Sequence, residues 1–394
     1  MIKKILIKML AAIGIDMHKI KRYVYGILGK DTACNVNGTS YDKTCLFIYI
    51  VTPFQKENLS DTHQNIWQAK EWARIIGTYG YNVDVINYIN PYVRLKQKYD
   101  MIIGLIPRDI DLYKKYIKKD GILISYLTSS NISFSNEQEY ERLADVYQRR
   151  GVRLRAQRQS GNIQKDIENF DAAFMIGNAY NLQSYYREFN MPPSFLIKNT
   201  GYEFCIKNRM EHVDTRNFLY FASAGQVYKG LDLLLEIFAE PSFPCELYVC
   251  SSYESEKDFC KEYDTELFHT QNIHAEGFVN IHSERFKEIV EKCAYVIVPS
   301  CAEGQMGSAL TVMSAGLIPI LSRESGYDDD EVIILPDCKM DTIRKVVLEY
   351  SQKDKQWIKE RSEYEIQIVK ERYSRECFIQ SVQNAFEAVL GERK

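Results

Sequence analysis

The sequence lacks any long apolar run: nowhere in its 394 residues do the roughly 18 consecutive apolar residues of a membrane-spanning helix occur. Its ten cysteines include no Cys-x-x-Cys pair, and its six histidines show no His-Glu-x-x-His spacing. Several cysteines, such as Cys250 and Cys293, lie inside strand-like runs, as reduced and buried cysteines do. We therefore expect no transmembrane helix, no disulfide framework and no zinc site, and we predict a cytoplasmic protein.

Two glycine-rich nucleotide signatures are also missing. The chain has neither the Gly-x-Gly-x-x-Gly dinucleotide fingerprint nor the Gly-x-x-x-x-Gly-Lys-Ser/Thr phosphate loop. A net charge of −3 does not favour nucleic acid as a partner. What is present is 45% hydrophobic and 26% charged residues, enough apolar material for two globular cores in a chain of this length.

The first 40 residues form a distinct basic segment. Residues 1–30 carry seven Lys or Arg and one Asp, with apolar residues at helical spacing between them. This pattern is typical of an amphipathic helix lying on an anionic cytoplasmic membrane surface. A solvated helix packed on the following domain fits the pattern equally well.

From residue 41 onward, apolar runs of strand length alternate with helical patterns. Strands are predicted in the first half at 44–51, 82–88, 99–105, 121–129, 171–178 and 194–200, with helices at 60–80, 109–118 and 136–149. Strands are predicted in the second half at 217–223, 245–251, 272–278, 294–300, 318–322 and 332–337, with helices at 230–239, 255–267, 283–293, 308–315, 340–352 and 376–390.

Runs that are apolar throughout indicate parallel strands covered by helices on both faces. The pattern thus predicts two doubly wound, Rossmann-like α/β domains facing a cleft, at 41–200 and 201–372. We expect a C-terminal helix over 373–394 that crosses back to the first domain. The cleft is the expected ligand site, because ligands of such sheets bind at the carboxyl ends of the strands.

Two strand-to-helix loops in the second half carry the chemistry. In "AGQVYKGLDLLLE" (224–236), Gly225 allows a close approach of the backbone and Lys229 can neutralise a phosphate. In "PSCAEGQMGSALTVMSAGLIPILS" (299–322), Gly307 and Ser308 are placed to start a helix whose N–H groups favour anions. Glu303 repels phosphate and is better suited to sugar hydroxyls, so the pair of loops indicates a nucleotide-diphosphate sugar.

These two stretches, with "IKNTGY" (197–202) before them, resemble the donor domain of the group 1 (family 4) glycosyltransferases, which have the GT-B fold. That family carries a Gly-Arg-x4-Lys-Gly turn and a Glu-Gly-x5-Leu-Glu-Ala-Met-Ala-x-Gly loop and helix. The resemblance covers about 197–335 and is only architectural over 41–196. It implies a fold with the donor in the second domain and the acceptor in the first.

The resemblance also implies roles for individual residues. Glu303 would contact the donor sugar, and Lys229 would bind the diphosphate together with the amides of Gly307, Ser308 and Ala309. Two positions depart from the family pattern. Gln226 stands where a phosphate-binding arginine is usual, and Thr311 stands where a second acid usually holds the ribose.

The first half offers two further candidates. His63, in "SDTHQN", lies at the start of the first long helix and is a candidate catalytic residue facing the cleft, or simply a polar residue of that turn. Five arginines cluster in "YQRRGVRLRAQRQSG" and predict either a solvated helix end or an electropositive rim for a lipid-pyrophosphate acceptor or membrane. They are Arg149, Arg150, Arg153, Arg155 and Arg158.

A last acidic stretch, "GYDDDEV", contains Asp328-x-Asp330. Three adjacent acids in a loop are more typical of solvent-facing residues than of a metal site. Because the resembling family binds phosphate without metal, we expect no metal and no cofactor other than the donor.

Together these features predict a metal-independent hexosyltransferase acting on a glycan or lipid-linked acceptor in polysaccharide or glycoconjugate synthesis, with retention implied by the resemblance. Two alternatives remain open. One is a nucleotide-sugar 2-epimerase, for which Glu303 and His63 are a small set of titratable groups. The other is a non-catalytic, glycan-binding subunit of the same fold, suggested by Gln226 and Thr311.

Overall fold

The computed structural model describes residues 20, 24–57, 59, 63–89, 93–105, 110–161, 166–204, 206 and 209–391. Most of the basic segment 1–30 lies outside these residues, so the predicted amphipathic helix is not described. The described residues form two α/β units, each built on one sheet with helices packed on its faces. The predicted fold class, two Rossmann-like domains facing a cleft, is confirmed.

The first unit contains a seven-stranded sheet. Its strands are β1 (Thr32–Ala33), β2 (Lys43–Tyr49), β3 (Tyr81–Asn87), β4 (Tyr99–Gly104), β5 (Ile117–Leu127), β6 (Ala172–Ile176) and β7 (Ser194–Ile197). They lie in the order β1-β3-β2-β4-β5-β6-β7, and all pairs are parallel except β1 with β3. Because β1 joins this sheet, the first unit begins before the expected boundary at residue 41.

Over the part of the first unit that the structure describes, five helices are assigned with both ends. They are α1 (Thr52–Gln55), α2 (Asn65–Thr78), α3 (Asp111–Lys114), α4 (Ile132–Arg150) and α5 (Ala179–Tyr186). The helix predicted over 109–118 is shorter than expected, because residues from Ile117 onward already extend as β5 and pair with β4. Asn131 caps α4 by accepting a hydrogen bond from the Ser133 amide.

The second unit contains a six-stranded parallel sheet. Its strands are β8 (Asp214–Phe221), β9 (Glu246–Cys250), β10 (Ile273–Ala275), β11 (Cys293–Val298), β12 (Ile318–Ser322) and β13 (Ile333–Leu335). The order is β10-β9-β8-β11-β12-β13. Its central strands are buried along most of their length, as the continuous apolar runs predict.

Among the described residues of the second half, eight helices surround this sheet before the chain returns to the first unit. They are α6 (Arg209–His212), α7 (Leu231–Phe238), α8 (Lys257–Glu262), α9 (Asp264–His269), α10 (Glu284–Lys292), α11 (Gly307–Met313), α12 (Met340–Ser351) and α13 (Lys355–Arg372). Helix α13 is not anticipated from the sequence, since Glu365 and Ser362 are among its buried residues and blur its apolar stripe. The helix predicted over 255–267 is divided at Tyr263 into α8 and α9.

The chain ends in a helix that returns to the first unit, α14 (Arg375–Gly391). Phe378, Val382 and Phe386 of α14 are fully buried in the core of the first sheet. The rings of Phe386 and Trp72 lie 6.0 Å apart, edge to face. The predicted crossing of the C-terminal helix is thus confirmed. No helix among the described residues has the length and apolar character needed to cross a membrane.

Candidate active site between the two units

In each sheet one pair of neighbouring strands marks a reversal of strand order, and both pairs end at the same cleft. In the second sheet this pair is β8 and β11, and in the first it is β2 and β4. The loops that follow such strands diverge to opposite faces and leave a crevice at the carboxyl ends. A cavity of about 610 Å³ lies there between the two units.

This cavity brings together seven of the predicted site residues. They are His63, Arg158, Lys229, Glu303, Gly307, Ser308 and Thr311. Its remaining lining is mostly neutral, with amide, hydroxyl and aromatic side chains from both units. The other predicted site residues lie elsewhere, as described below.

Lys229 reaches the cavity from the turn between β8 and α7. The next residue, Gly230, has a φ of 77° and packs against the carbonyl of Pro299, where a Cβ would lie 2.5 Å from that oxygen. A residue with a side chain does not fit there, and the turn is therefore held close to the β11 loop. The Lys229 side chain is only 6% exposed, and its ammonium group contacts the carboxylate of Glu303.

Glu303 lies in the loop between β11 and α11. Its carboxylate accepts a hydrogen bond of 3.0 Å from the Ser300 hydroxyl in addition to the contact with Lys229. The side chain is 13% exposed, and the exposed part faces the cavity. The sequence-predicted pair of a cation and an acid is thus adjacent in space, although 74 positions separate the two residues.

The environment of Lys229 acts on its protonation in two directions. Burial lowers the pKa of its ammonium group well below the usual range, and the nearby charge of Arg158 lowers the pKa further. The contact with Glu303 opposes both effects by favouring the charged form. The protonation of Lys229 therefore depends on its charged neighbours: Glu303 favours the ammonium form, and Arg158 opposes it.

Arg158 provides a second positive charge at this end of the cavity. Its guanidinium lies 5.6 Å from the centre of the Tyr228 ring, and the Lys229 ammonium lies 5.6 Å from the same ring. Among the described residues no carboxylate pairs with the Arg158 guanidinium. Two cations from different units therefore converge on the same part of the cavity, and one of them is open to an anionic ligand.

Gly225 and Gln226 do not line the cavity, because the turn that contains them faces Glu256. The amides of both residues donate hydrogen bonds to the Glu256 carboxylate, at 2.5 Å for Gly225. The Gln226 side chain is fully buried and bonds to Ser251 and Glu256. Glu256 was missed from the sequence, since it lies 30 residues beyond the turn that it holds.

Helix α11 begins at Gly307, at the edge of the cavity. Gly307 and Ser308 line the cavity, whereas Ala309 is fully buried behind them. Thr311 lines it too, but its hydroxyl donates to the carbonyl of Gly307 at 3.0 Å within the helix. The position at which the resembling family has an acid is thus occupied by a hydroxyl bonded to its own helix.

The first unit contributes the start of α2 to the opposite wall. His63 lines the cavity, and its Nδ1 accepts a hydrogen bond of 3.2 Å from the Asn65 amide. Burial lowers the pKa of the His63 imidazole, so the ring is neutral at pH 7. The side-chain amide of Gln64 packs directly on Gly307 of the second unit, which brings α2 against the start of α11.

A second contact between the units at the cavity involves Asn199 and Gln305. Asn199 donates its side-chain amide to the Gln305 carbonyl at 2.7 Å, and its backbone amide donates to the Gln305 side chain at 2.9 Å. Gln68 of α2 in turn donates to Asn199 at 2.9 Å. This network was not predicted from the sequence, because Asn199 lies 131 residues from Gln68 and 106 residues from Gln305.

The arginines of the cluster at 149–158 differ in what they contact. Arg149 donates to Asp232 at 2.6 Å and to Glu236, and Arg150 pairs with Glu262 and Glu266, so both bind carboxylates of the second unit. Burial raises the pKa of Asp232 to about 6, although Arg149 lowers it. Arg149 and Arg150 thus join the two units instead of forming an open rim.

The other members of the cluster are more exposed. Arg155 pairs with Asp258 at 3.0 Å with 78% of its side chain exposed, and Arg153 lies over the Tyr147 ring. Neither lines the cavity described above. Of the five arginines, Arg158 alone among the described residues does so.

Replacing Arg150 by methionine is expected to lower the free energy of unfolding by about 1–3 kcal/mol. Arg150 donates to Glu262 at 2.8 Å and to Glu266 at 2.6 Å, and it also lies over the Tyr263 ring. Its loss leaves two carboxylates close together without their cation. Urea unfolding measures the change, with Arg153→Met as a matched control expected to stay within about 0.5 kcal/mol of the original protein. Equal values for the two variants would contradict the ion-pair argument.

The three acids of the stretch 328–330 form hydrogen bonds and ion pairs with neighbouring side chains. Asp328 accepts from Asn178 at 3.0 Å, Asp329 lies 3.5 Å from Arg323, and Asp330 pairs with Arg372 at 2.8 Å. Over the part of the chain that the structure describes, no group of three or more His, Cys, Asp or Glu side chains is arranged to hold a metal ion.

At the level of sequence, no family model and no curated protein matches the chain. Solved structures do match. TarM of S. aureus, solved with UDP, shares 12% identity and superposes with a TM-score of 0.50 over 73% of this chain and 55% of its own. The chain therefore spans about half the length of the first structures that it matches.

Two other structures match over their whole length. Sucrose-phosphate synthase from Thermosynechococcus elongatus has 12% identity and a TM-score of 0.60, covering 89% of this chain and 100% of its own. HepE of Anabaena, solved with UDP and glucose, has 10% identity and a TM-score of 0.55, covering 88% and 100%. The structures matched include GT-B glycosyltransferases, and the likeness shows that this chain has the GT-B fold.

Proposed function

We propose that the chain is a glycosyltransferase that moves a sugar from a nucleotide-diphosphate sugar to a hydroxyl acceptor in the cavity between its two units. The observation that carries this proposal is the adjacency of Lys229 and Glu303 at the switch point of the second sheet, with Arg158 beside them. A cation pair and a carboxylate at one end of a neutral cavity suit a ligand with an anionic part and a hydroxyl-rich part.

In this proposal the diphosphate lies between Lys229 and Arg158, near the start of α11. The donor sugar then lies toward Glu303, whose carboxylate accepts hydrogen bonds from its hydroxyls. Arg158 supplies the guanidinium that Gln226 does not, because Gln226 is buried within its own unit. When the bond between sugar and diphosphate breaks, negative charge grows on the diphosphate, and both cations stabilise it.

The acceptor in this proposal lies against α2 of the first unit. The neutral imidazole of His63 accepts from the Asn65 amide at Nδ1, so its proton lies on Nε2, which can donate a hydrogen bond to an oxygen of the acceptor. The acceptor is a glycan or a lipid-linked saccharide of polysaccharide or glycoconjugate synthesis, and transfer proceeds with retention. We propose no metal or cofactor, since Lys229 and Arg158 supply the positive charge, and EDTA is expected to leave turnover unchanged.

UDP-sugars are the first donors to test, because TarM and HepE were both solved with UDP. The purified protein is incubated with UDP-, GDP- and ADP-sugars, and nucleotide release is followed by NMR. Slow hydrolysis of one donor that is lost in Glu303→Ala and Lys229→Ala supports the enzyme. If calorimetry detects no binding of any donor, a non-catalytic glycan-binding protein becomes the better proposal, which the hydrogen bond of Thr311 to its own helix already favours.

We also propose that residues 1–30 hold the enzyme on the cytoplasmic face of an anionic membrane. The described end of this segment exposes apolar side chains, with Ile27 55% and Leu28 59% exposed. Removing residues 1–30 is expected to abolish sedimentation with vesicles rich in anionic lipid, because basic charge and apolar insertion are lost together. Vesicles of neutral lipid serve as the control. Unchanged sedimentation with anionic vesicles would refute this part of the proposal.

A further inference from the structure

The backbone carbonyl of Glu303 is bound by the first unit. The amide of Ser130 donates to it at 2.8 Å and the hydroxyl of Ser130 at 2.6 Å. The side-chain amide of Asn181 donates to the same oxygen at 3.1 Å. Three donors from the first unit thus converge on one carbonyl of the second, where a single partner would satisfy it.

Asn181 binds more than one part of the second unit. It is fully buried, and its side-chain amide also donates to the carbonyl of Glu324 at 3.0 Å. Asn178, its partner in the capping box of α5, donates to the carbonyl of Tyr327 at 3.0 Å. The start of α5 therefore binds two loops of the second unit, at Glu303 and at 324–327, through side-chain amides.

The residue after Glu303 is fitted to the same contact. The Cα of Gly304 lies against the carbonyls of Thr128, the first residue after β5, and Ile176, the last residue of β6. A Cβ at this position would lie 2.9 Å from the Ile176 oxygen and nearer still to that of Thr128. Because both obstacles are backbone atoms, the loop can lie this close only if the residue is glycine.

The backbone and the side chain of Glu303 thus contact different units. Its backbone is bound by Ser130 and Asn181 of the first unit, while its carboxylate contacts Lys229 and the cavity. Moving the first unit away would remove three hydrogen bonds from the residue that presents this carboxylate. The direction of the carboxylate therefore depends on how the two units are arranged.

We propose that Asn181 and Ser130 are positioning residues, which hold the Glu303 carboxylate in place and so couple the arrangement of the two units to the donor site. This inference rests on the proposed function for its catalytic consequence, but the coupling itself does not. Donor turnover requires the first unit to be seated on the Glu303 loop, so sugar transfer is confined to the closed arrangement in which the acceptor is also present.

The test replaces Asn181 by aspartate, which keeps the shape and turns the amide donor into an acceptor facing two carbonyl oxygens. We expect kcat for turnover of the donor to fall by about tenfold or more, since the hydrogen bonds to the carbonyls of Glu303 and Glu324 are lost and a repulsion is added. The dissociation constant of UDP is expected to change by less than about twofold, because Lys229 and Arg158 remain. Gln183→Glu, an exposed amide-to-acid change on the same helix, is the matched control.

Two further measurements separate positioning from a general loss of stability. As the pH falls, the activity of Asn181→Asp relative to the original protein is expected to rise, because the protonated carboxyl regains a donor. Hydrogen–deuterium exchange of residues 301–307 is expected to be faster in Asn181→Asp and unchanged in Gln183→Glu. Ser130→Ala, which removes only a hydroxyl, is expected to lower kcat by about threefold and keeps the test decisive if Asn181→Asp does not fold.

The proposal is overturned if folded Asn181→Asp and Ser130→Ala both keep kcat within twofold of the original protein and leave exchange of the loop unchanged. It is also overturned if Gln183→Glu produces the same losses. If the original protein turns over no donor, the proposed function fails, and the exchange measurement alone decides whether the first unit positions Glu303.

Discussion

Replacing Glu303 by glutamine is expected to lower kcat for sugar transfer by about a hundred- to a thousandfold. Its carboxylate is the one acidic group of the described cavity lining, and it contacts Lys229 and Ser300. Glutamine keeps the shape but loses the charge, so hydrogen bonds from sugar hydroxyls weaken and the partner of Lys229 disappears. Steady-state kinetics with the donor identified by the panel gives the measurement.

The matched control for this prediction is Glu284→Gln. Its side chain is 86% exposed at the start of α10 and, among the described residues, makes a single weak ion pair, 3.9 Å from its carboxylate to the Lys287 ammonium group. We therefore expect kcat to stay within twofold of the original value. The prediction is contradicted if a folded Glu303→Gln variant binds donor and turns it over at more than about a tenth of the original rate, because Glu303 would then have no catalytic role.

The fold could largely be predicted from the sequence because several central strands, such as β6, β11 and β12, are nearly continuous apolar runs. The strand predicted at 318–322 has the same bounds in the structure, and the others differ mainly at their ends. Helix α13 was not predicted, because buried polar residues interrupt its pattern. Strand β1 and the short helices α1, α5 and α6 were not predicted either, because two to eight residues carry little periodicity. Local patterns show local structure, whereas β1 depends on its pairing with the distant strand β3.

The site was predictable in part for the same reason. Lys229 and Glu303 each follow a strand, and strands that are neighbours in a parallel sheet bring their following loops together. The hydrogen bonds from Asn181 to Glu303 and from Gly225 to Glu256 could not be predicted, since these partners lie 122 and 31 residues apart without any shared motif.

The arginine cluster shows most clearly how far a binding site can be predicted from the sequence. Its composition predicts an anion-binding surface, but four carboxylates between residues 232 and 266 already occupy Arg149 and Arg150. Only Arg158, at the end of the cluster, reaches the cavity. Charge in a sequence indicates what a residue can bind, and the tertiary structure decides whether the partner is a ligand or another side chain.

Replacing Lys229 by methionine is expected to lower kcat by about a hundredfold or more, because the departing diphosphate loses a buried cation. The same change leaves the Glu303 carboxylate, which is 13% exposed, without its partner. We expect the free energy of unfolding to fall by about 1–3 kcal/mol in Lys229→Met. In the double variant Lys229→Met/Glu303→Gln it is expected to return to the original value or exceed it, because both charges are then gone from a poorly hydrated site.

The pH dependence distinguishes a catalytic ammonium group from a merely structural one. Burial and Arg158 lower the pKa of Lys229, so its positive charge is lost as the pH rises through a value below that of an ordinary lysine. If the charged form binds the diphosphate, kcat/KM falls over that range, and Lys229→Arg moves the decline to higher pH, since arginine stays protonated. An alkaline decline at the same pH in both proteins would assign it to another group. A double variant no more stable than Lys229→Met would show that the two charges do not interact in the empty site.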